Sequence, residues 1–246
     1  MIHYRPTLLL LLLLVGISSI PSKVNAQYDF SGVDKQILWG AGTATVGLSF
    51  VFDKKVPLMT MEERDWLRAN KTIKGIDAYS TRHFSKTAQR HSDILLYSSP
   101  IWPTLLLADN RVRKNFGDVG LLALETLILN LGVTNLVKTL VKRPRPYVFN
   151  SDVDWAFVSS QERDARKSFP SGHTSTAACM SFLAASVYAD FRPEDEGVLL
   201  YLGAATIPAL TGYLRMRAGK HYFTDVLAGF VLGSAIGILV PKFHYR

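Results

Sequence analysis

The segment SFPSGHTSTA, residues 168–177, joins a polar loop to a long run of small and apolar residues. Gly172 lets the backbone approach a ligand, and a helix starting near Thr174 would aim its unpaired first-turn N–H groups at the same point. Anions bind readily at such helix starts, and His173 can exchange a proton near neutral pH. Read alone, the segment fits an ordinary N-capping turn with a surface histidine equally well.

Six apolar stretches of helical character surround this segment, at residues 37–52, 94–108, 119–141, 174–189, 198–214 and 226–240. Only the third comfortably reaches the roughly 20 residues that cross a bilayer. Gly229, Gly233 and Gly237 form a doubled small-xxx-small pattern, which favours close helix packing in lipid but also occurs in tightly packed soluble domains. We expect an all-α fold, a six-helix bundle embedded in a membrane, with its polar chemistry in loops at one end.

The composition limits the class of protein and of partner. With 246 residues, 48% of them hydrophobic and 20% charged, the chain can bury a core and is not disordered. The formal net charge of +8 favours anionic partners such as acidic membranes or phosphorylated substrates. Basic residues do not alternate with aromatic side chains in a stripe, so we expect no nucleic-acid partner. The single cysteine, Cys179, cannot form an intramolecular disulfide, and the oligomeric state is left open.

The first 110 residues are expected to hold a leader and a cover. Residues 1–26 combine Arg5, an apolar run and a Val-Asn-Ala pattern, which predicts a secretory signal peptide, with an uncleaved anchor as the alternative. Residues 27–110 are predicted to contain N-terminal helices and an amphipathic cover, in which Thr60 and Glu63 fit a capping box. Residues 111–246 would form the catalytic core, in one domain with residues 27–110.

The predicted orientation contains a conflict. Basic residues 111–114 and 242–246 would lie inside by the positive-inside rule, which puts the loops after the third and fifth stretches outside. A cleaved signal also starts the mature chain outside, and six crossings from there would leave the tail outside. Because stretch 37–52 is short and contains three glycines, we expect that it does not cross; a mispredicted signal or a soluble protein would also remove the conflict.

Two further polar groups lie in the loops that follow the third and fifth stretches. Lys138 and Arg145 belong to a cationic run that ends in Arg-Pro-Arg-Pro, suited to phosphate but also typical of a helix C-terminus. Arg215 precedes His221 and Asp225, which are four residues apart and share a helix face. The carboxylate could fix the imidazole tautomer, although such pairs are usually surface contacts.

Together the three groups resemble the signature of the type 2 phosphatidic acid phosphatase (PAP2) and vanadium haloperoxidase superfamily. Its motifs are K-x6-RP, PSGH and SR-x5-H-x3-D, and this chain matches them from Lys138 to Asp225. The one departure is Leu214, where the family usually has serine. Residues 27–110 are matched only by hydropathy. Lys142, Arg143 and Arg217 are additional cations without a family role.

The resemblance implies a set of roles for the matched residues. His221 would attack phosphorus through Nε2 while Asp225 holds Nδ1–H, giving a phosphohistidine intermediate. His173 would protonate the leaving oxygen and then activate water. No metal or other cofactor is implied, because cationic side chains take that part. The phosphoryl oxygens would be held by Lys138, Arg145, Ser171, Gly172 and Arg215.

The expected function is hydrolysis of a phosphate monoester or diphosphate of a lipid, such as phosphatidate, a prenyl diphosphate or a glycolipid phosphate. The partner would be that lipid phosphate in a cell-envelope membrane, with the active site facing outside. Three alternatives stay open: a soluble secreted or periplasmic acid phosphatase on small phosphomonoesters, a vanadium haloperoxidase, and a non-catalytic membrane protein that binds a headgroup.

Overall fold

A computed structural model describes residues 28–195 and 197–246, so the predicted signal peptide, residues 1–26, lies outside the described residues. Within the described ranges the chain is all-α and forms no strand, as predicted. Short 3-10 turns connect several of the helices. In chain order the α-helices are α1 Val33–Asp53, α2 Met61–Asn70, α3 Ala78–Thr81, α4 Lys86–Ser98, α5 Trp102–Leu105, α6 Asn110–Lys114, α7 Phe116–Val141, α8 Trp155–Ser160, α9 Gly172–Phe191, α10 Val198–Arg217 and α11 Phe223–His244.

Five of the six apolar stretches coincide with single helices, namely α1, α7, α9, α10 and α11. The second, residues 94–108, was expected to be one helix and is instead broken. Its first part ends α4, and 3-10 turns and the short α5 follow. Pro100 and Pro103 explain the difference, since proline lacks the N–H that an uninterrupted helix needs. Of the described helices, α7, α10 and α11 are long and apolar enough to cross a membrane.

Helix α9 is the centre of the bundle and is buried along almost its whole length. It packs against α11, α10 and α7. The approach of α11 depends on the predicted glycine stripe. A Cβ added at Gly229, Gly233 or Gly237 would clash with a backbone oxygen of α9 or of its N-cap residue. A side chain larger than hydrogen at these positions would push the two helices apart.

Helix α1 runs parallel to α7 over most of its length. Gly42 lies against Ile128 and Leu129, and Thr45 lies against Gly132, so residue numbers rise together along both helices. Helix α1 is not among the described helices that are long and apolar enough to cross a membrane, and the expectation that stretch 37–52 does not cross stays a prediction.

Residues 28–29 meet residues 244–245 at one end of this bundle. The Asp29 N–H donates to the His244 carbonyl over 2.9 Å, and Tyr28 forms an isolated bridge with Tyr245. At the other end, Asp53 at the close of α1 pairs with Lys167 at 2.7 Å, next to the predicted site. A single long helix therefore separates residue 28 from the site.

The predicted cover forms a small second core above the loop that follows Arg145. Thr60 caps α2 by accepting from the Glu63 N–H, which is one half of the predicted capping box; the Glu63 carboxylate pairs with Arg166 instead. Arg68 Nε donates to the Val148 carbonyl over 2.9 Å, which ties α2 to that loop. The buried side chains of this core are Met59, Leu67, Tyr147, Val148, Val153, Val158 and Ala165.

The contact between α9 and α11 predicts the effect of added volume. Gly233→Ala should cost about 1–3 kcal/mol, because its Cβ would press on the Ser175 carbonyl. Gly203→Ala on α10 is the matched control: its Cβ meets open space, and alanine gains up to about 1 kcal/mol of helix propensity. Melting temperatures in detergent should fall for the first variant and hold or rise for the second; equal values would contradict the proposed packing.

Candidate active site

A cavity of about 400 Å³ opens at the end of the bundle where α1 and α7 finish and α9 begins. Apolar side chains from three helices, Phe50, Leu96 and Leu131, form part of its wall. Five of the predicted site residues line it: Lys138, Arg145, Gly172, His173 and His221. The fold thus brings residues from three separate motifs into one pocket.

The His221 imidazole is buried and held by two hydrogen bonds. Its Nδ1–H donates to the Ser168 carbonyl over 2.6 Å, and its Nε2 accepts from Arg145 Nη1 over 3.1 Å. These contacts assign the neutral tautomer with an unprotonated Nε2. Burial, reinforced by the Arg145 and Lys138 cations, also holds the pKa of His221 well below its usual value. The ring can therefore present a lone pair near neutral pH.

The expected hydrogen bond between His221 and Asp225 is replaced by another arrangement. The Asp225 Oδ2 atom lies 3.8 Å from His221 Nδ1, beyond hydrogen-bond range. It accepts instead from Ser168 Oγ at 2.5 Å and from the Tyr222 N–H at 2.9 Å. The carboxylate thus fixes the Ser168 segment and the start of α11, and the Ser168 carbonyl contacts the imidazole.

Arg143, an additional cation without a role in the motifs, is the charge partner of Asp225. Its Nη1 donates to Asp225 Oδ1 over 2.5 Å and its Nη2 to Asp77 over 2.8 Å. Its guanidinium also stacks over the Tyr222 ring at 4.0 Å. Arg143 therefore connects the cover, through Asp77, to the first turn of α11.

Two buried cations that line the cavity, Lys138 and Arg145, are positioned by backbone oxygens and one carboxylate. Lys138 Nζ donates to the Lys167 carbonyl over 3.0 Å, and Arg145 Nη1 to the Lys220 carbonyl over 2.9 Å. Arg145 also pairs with Asp164 at 2.7 Å. Burial opposes ionisation of Asp164, but the Arg145 contact outweighs burial and lowers the carboxyl pKa to about 2. Sequence spacing alone gave no signal for this carboxylate.

Arg215 and Ser171 are not among the described residues that line the cavity. Ser171 is the N-cap of α9, with its hydroxyl 2.9 Å from Thr174 Oγ1. Arg215 Nη1 lies 3.2 Å from both Ser92 Oγ and Asp93 Oδ1 on α4. A direct role for either residue in phosphate binding stays a prediction.

His173 occupies the first turn of α9 and faces the cavity. Its Nε2 lies 2.8 Å from Asp93 Oδ1, a contact that the sequence analysis did not anticipate. Burial, followed by the nearby Arg215 and Arg145 cations, lowers the pKa of His173 to about 2. The ring is therefore neutral near neutral pH, and an anion placed among these cations would raise its pKa.

The geometry combines an unprotonated imidazole nitrogen, a second imidazole and two buried cations around one cavity. A tetrahedral dianion fits this charge pattern, since its oxygens can take hydrogen bonds from Lys138, Arg145 and the first turn of α9. A protein-family model described as "PAP2 superfamily" matches residues 119–246. The chain belongs to the PAP2 superfamily. All of the residues predicted from the three motifs lie inside the matched range, whereas Asp93 lies outside it.

Relatives in the superfamily span several lipid substrates. Phosphatidylglycerophosphatase B of Bacillus subtilis is 37% identical over 81 residues, 32% of this chain and 40% of the relative. Lipid A 1-phosphatase of Rhizobium etli is 26% identical over 128 residues, 52% and 51% of the two chains. Undecaprenyl-diphosphatase BcrC of Bacillus subtilis is 29% identical over 150 residues, 61% and 68%. The chain spans about half of the length of the first curated relatives that it matches, which include the first two named here.

A solved structure of a transmembrane PAP2 type phosphatidylglycerolphosphate phosphatase from Bacillus subtilis covers 96% of this chain and 92% of its own. Sequence identity to it is 21%, and the TM-score is 0.43.

The lowered pKa of His173 predicts proton uptake on anion binding. Sulfate stays a dianion between pH 6 and 8, so any proton taken up must go to the protein. Titration calorimetry in two buffers of different ionisation enthalpy should show uptake that grows as the pH falls, because binding raises the histidine pKa towards the working pH. His173→Gln should reduce the uptake; heats independent of buffer in the unaltered protein would contradict the prediction.

Proposed function

We propose that this protein is a metal-independent lipid phosphatase that acts through a phosphohistidine intermediate. The observation that carries the proposal is the buried His221, whose Nε2 is unprotonated and lies on a cavity that also holds two cations. Family membership supports the same reaction class.

The reaction would proceed in two displacements at phosphorus. His221 Nε2 attacks and forms the N–P bond while the P–O bond to the leaving group breaks, and His173 gives the leaving oxygen its proton. A water molecule then loses a proton to His173 and attacks the same phosphorus, which breaks the N–P bond and releases phosphate. Lys138 and Arg145 stabilise the charge spread over the equatorial oxygens in both steps.

A lipid substrate is favoured by the apolar part of the cavity wall. Phe50 and Leu131 are 56% and 40% exposed although they belong to helices of the bundle, and Leu96 completes this side. An alkyl chain could lie against these side chains with its phosphate among the cations. The three helices that can cross a membrane fit the same substrate class.

The nucleophile assignment predicts which variant loses phosphate release. His221→Ala should reduce kcat by at least about 100-fold, since no other group would form the covalent intermediate. Phosphate release from phosphatidate, phosphatidylglycerophosphate and undecaprenyl diphosphate in detergent with EDTA measures this. His91→Ala, an exposed histidine on α4, is the control. The mechanism would be refuted if EDTA abolished the activity or if His221→Ala retained it.

A separate experiment tests the membrane assignment. Release of the folded protein from membranes by carbonate washing, without detergent, would refute it.

We propose further that the site faces the outside of the membrane. One long helix, α1, separates residue 28 from the cavity, so if α1 crosses the membrane this orientation requires residue 28 to lie on the inner side. A leader that stays attached is compatible with it, whereas a leader cleaved outside after Ala26 would turn the site inward. The predicted cleavage and the outward site therefore exclude each other if α1 crosses.

Labelling of single cysteines in intact cells tests the orientation. Lys74→Cys places a thiol in the exposed loop on the cavity side, and Lys114→Cys places one at the opposite end of the bundle. The native Cys179 is buried and should stay unlabelled in both. An impermeant maleimide should react with the first variant only, and the reverse pattern would place the site inside.

A further inference from the structure

We propose that Asp93 is a positioning residue that holds His173 in the orientation and tautomer its proton transfers need, and links it to Arg215. The inference rests on the proposed function and extends it to a residue of α4, outside the part of the chain that matches the family model. It adds a carboxylate next to His173, the proposed acid and base of the reaction.

The carboxylate stands between two side chains of different helices. Asp93 Oδ1 lies 2.8 Å from Nε2 of His173 on α9 and 3.2 Å from Nη1 of Arg215 on α10. The neighbouring Ser92 hydroxyl accepts from the same Arg215 nitrogen over 3.2 Å. Arg215 is 4% exposed, so its guanidinium is held in place. The Asp93 oxygen is therefore fixed from two sides.

This contact determines which nitrogen of His173 exchanges protons. A carboxylate only accepts hydrogen bonds, so the neutral ring must carry its proton on Nε2 and leave Nδ1 with the lone pair. Nδ1 would then take a proton from water in the second displacement and give one to the leaving oxygen in the first. Without the carboxylate the ring could adopt either tautomer, and one of them cannot accept at Nδ1.

The contact also opposes the positive charge around the ring. Lys138 from α7, Arg145 from the following loop and Arg215 from α10 all disfavour the imidazolium that forms during each turnover. Asp164 acts in the other direction but is paired with Arg145. Asp93 is the carboxylate in hydrogen-bond contact with the imidazole, so it is the group best placed to stabilise the protonated ring.

Leaving-group dependence separates this role from a merely structural one. The test uses two substrates that carry the same lipid chain. In the first the leaving group is an alkoxide, which must be protonated as it leaves; in the second it is a nitrophenolate, which needs little protonation. For Asp93→Asn, kcat/KM should fall about 10- to 100-fold for the alkyl substrate and less than about threefold for the aryl substrate, because kcat/KM reports the first displacement. Asp65→Asn, an exposed carboxylate on α2, should change neither.

An equal loss on both substrates, or full activity of Asp93→Asn on the alkyl substrate, would overturn the positioning role. A lower melting temperature accompanied by equal losses would identify Asp93 as a tether of α4 only. Failure of the proposed function is distinguishable: the unaltered protein would then hydrolyse neither substrate, or His221→Ala would retain hydrolysis of both.

Discussion

The close contact between α9 and α11 is the constraint on which the site depends. Three glycines on α11 leave the space that the α9 backbone occupies. At the top of this contact the Ser171 N–H donates to the Asp225 carbonyl over 2.9 Å, so the starts of the two helices are in register. One helix start carries His173 and the other follows His221. A shift along this seam would change the separation of the two imidazoles.

The second constraint is electrostatic. Buried cations are costly unless they are paired. The partners of Arg145, Arg215 and Lys138 are, respectively, Asp164, Asp93 and a backbone carbonyl. The compensation is partial at the cavity itself, where both histidines are kept neutral. A bound dianion would supply the missing charge and thereby change the protonation of the groups around it. Binding and activation of the acid–base group are then one electrostatic event.

Much of the fold and of the motif cluster could be predicted because the signals are local. Helix lengths follow from apolar runs, the cap of α2 from Thr60 and Glu63, and the seam from glycines four residues apart. The break after α4 was missed because Pro100 and Pro103 lie inside a run that is otherwise continuous. The grouping of the three motifs at one end followed from the alternating direction of the helices.

The contacts that complete the site could not be predicted, since they depend on packing between distant segments. Asp93 is 80 residues from His173, and nothing in its surroundings in the sequence marks it. The hydrogen bond expected between His221 and Asp225 has the right spacing, but the Ser168 carbonyl fills the position beside Nδ1. Sequence spacing predicts which two side chains lie on the same face of a helix. It does not predict which backbone oxygen from another segment accepts the hydrogen bond.

The contact between Arg145 and His221 has a consequence for selectivity. The guanidinium donates to Nε2, the atom that would attack in the proposed mechanism, so this hydrogen bond engages its lone pair. Phosphoryl oxygens would offer Arg145 a better acceptor and so free the nitrogen as they bind. A neutral ester or alkylating reagent would offer no such exchange and would meet a hydrogen-bonded imidazole. Chemoselectivity would then come from this hydrogen bond as much as from the shape of the pocket.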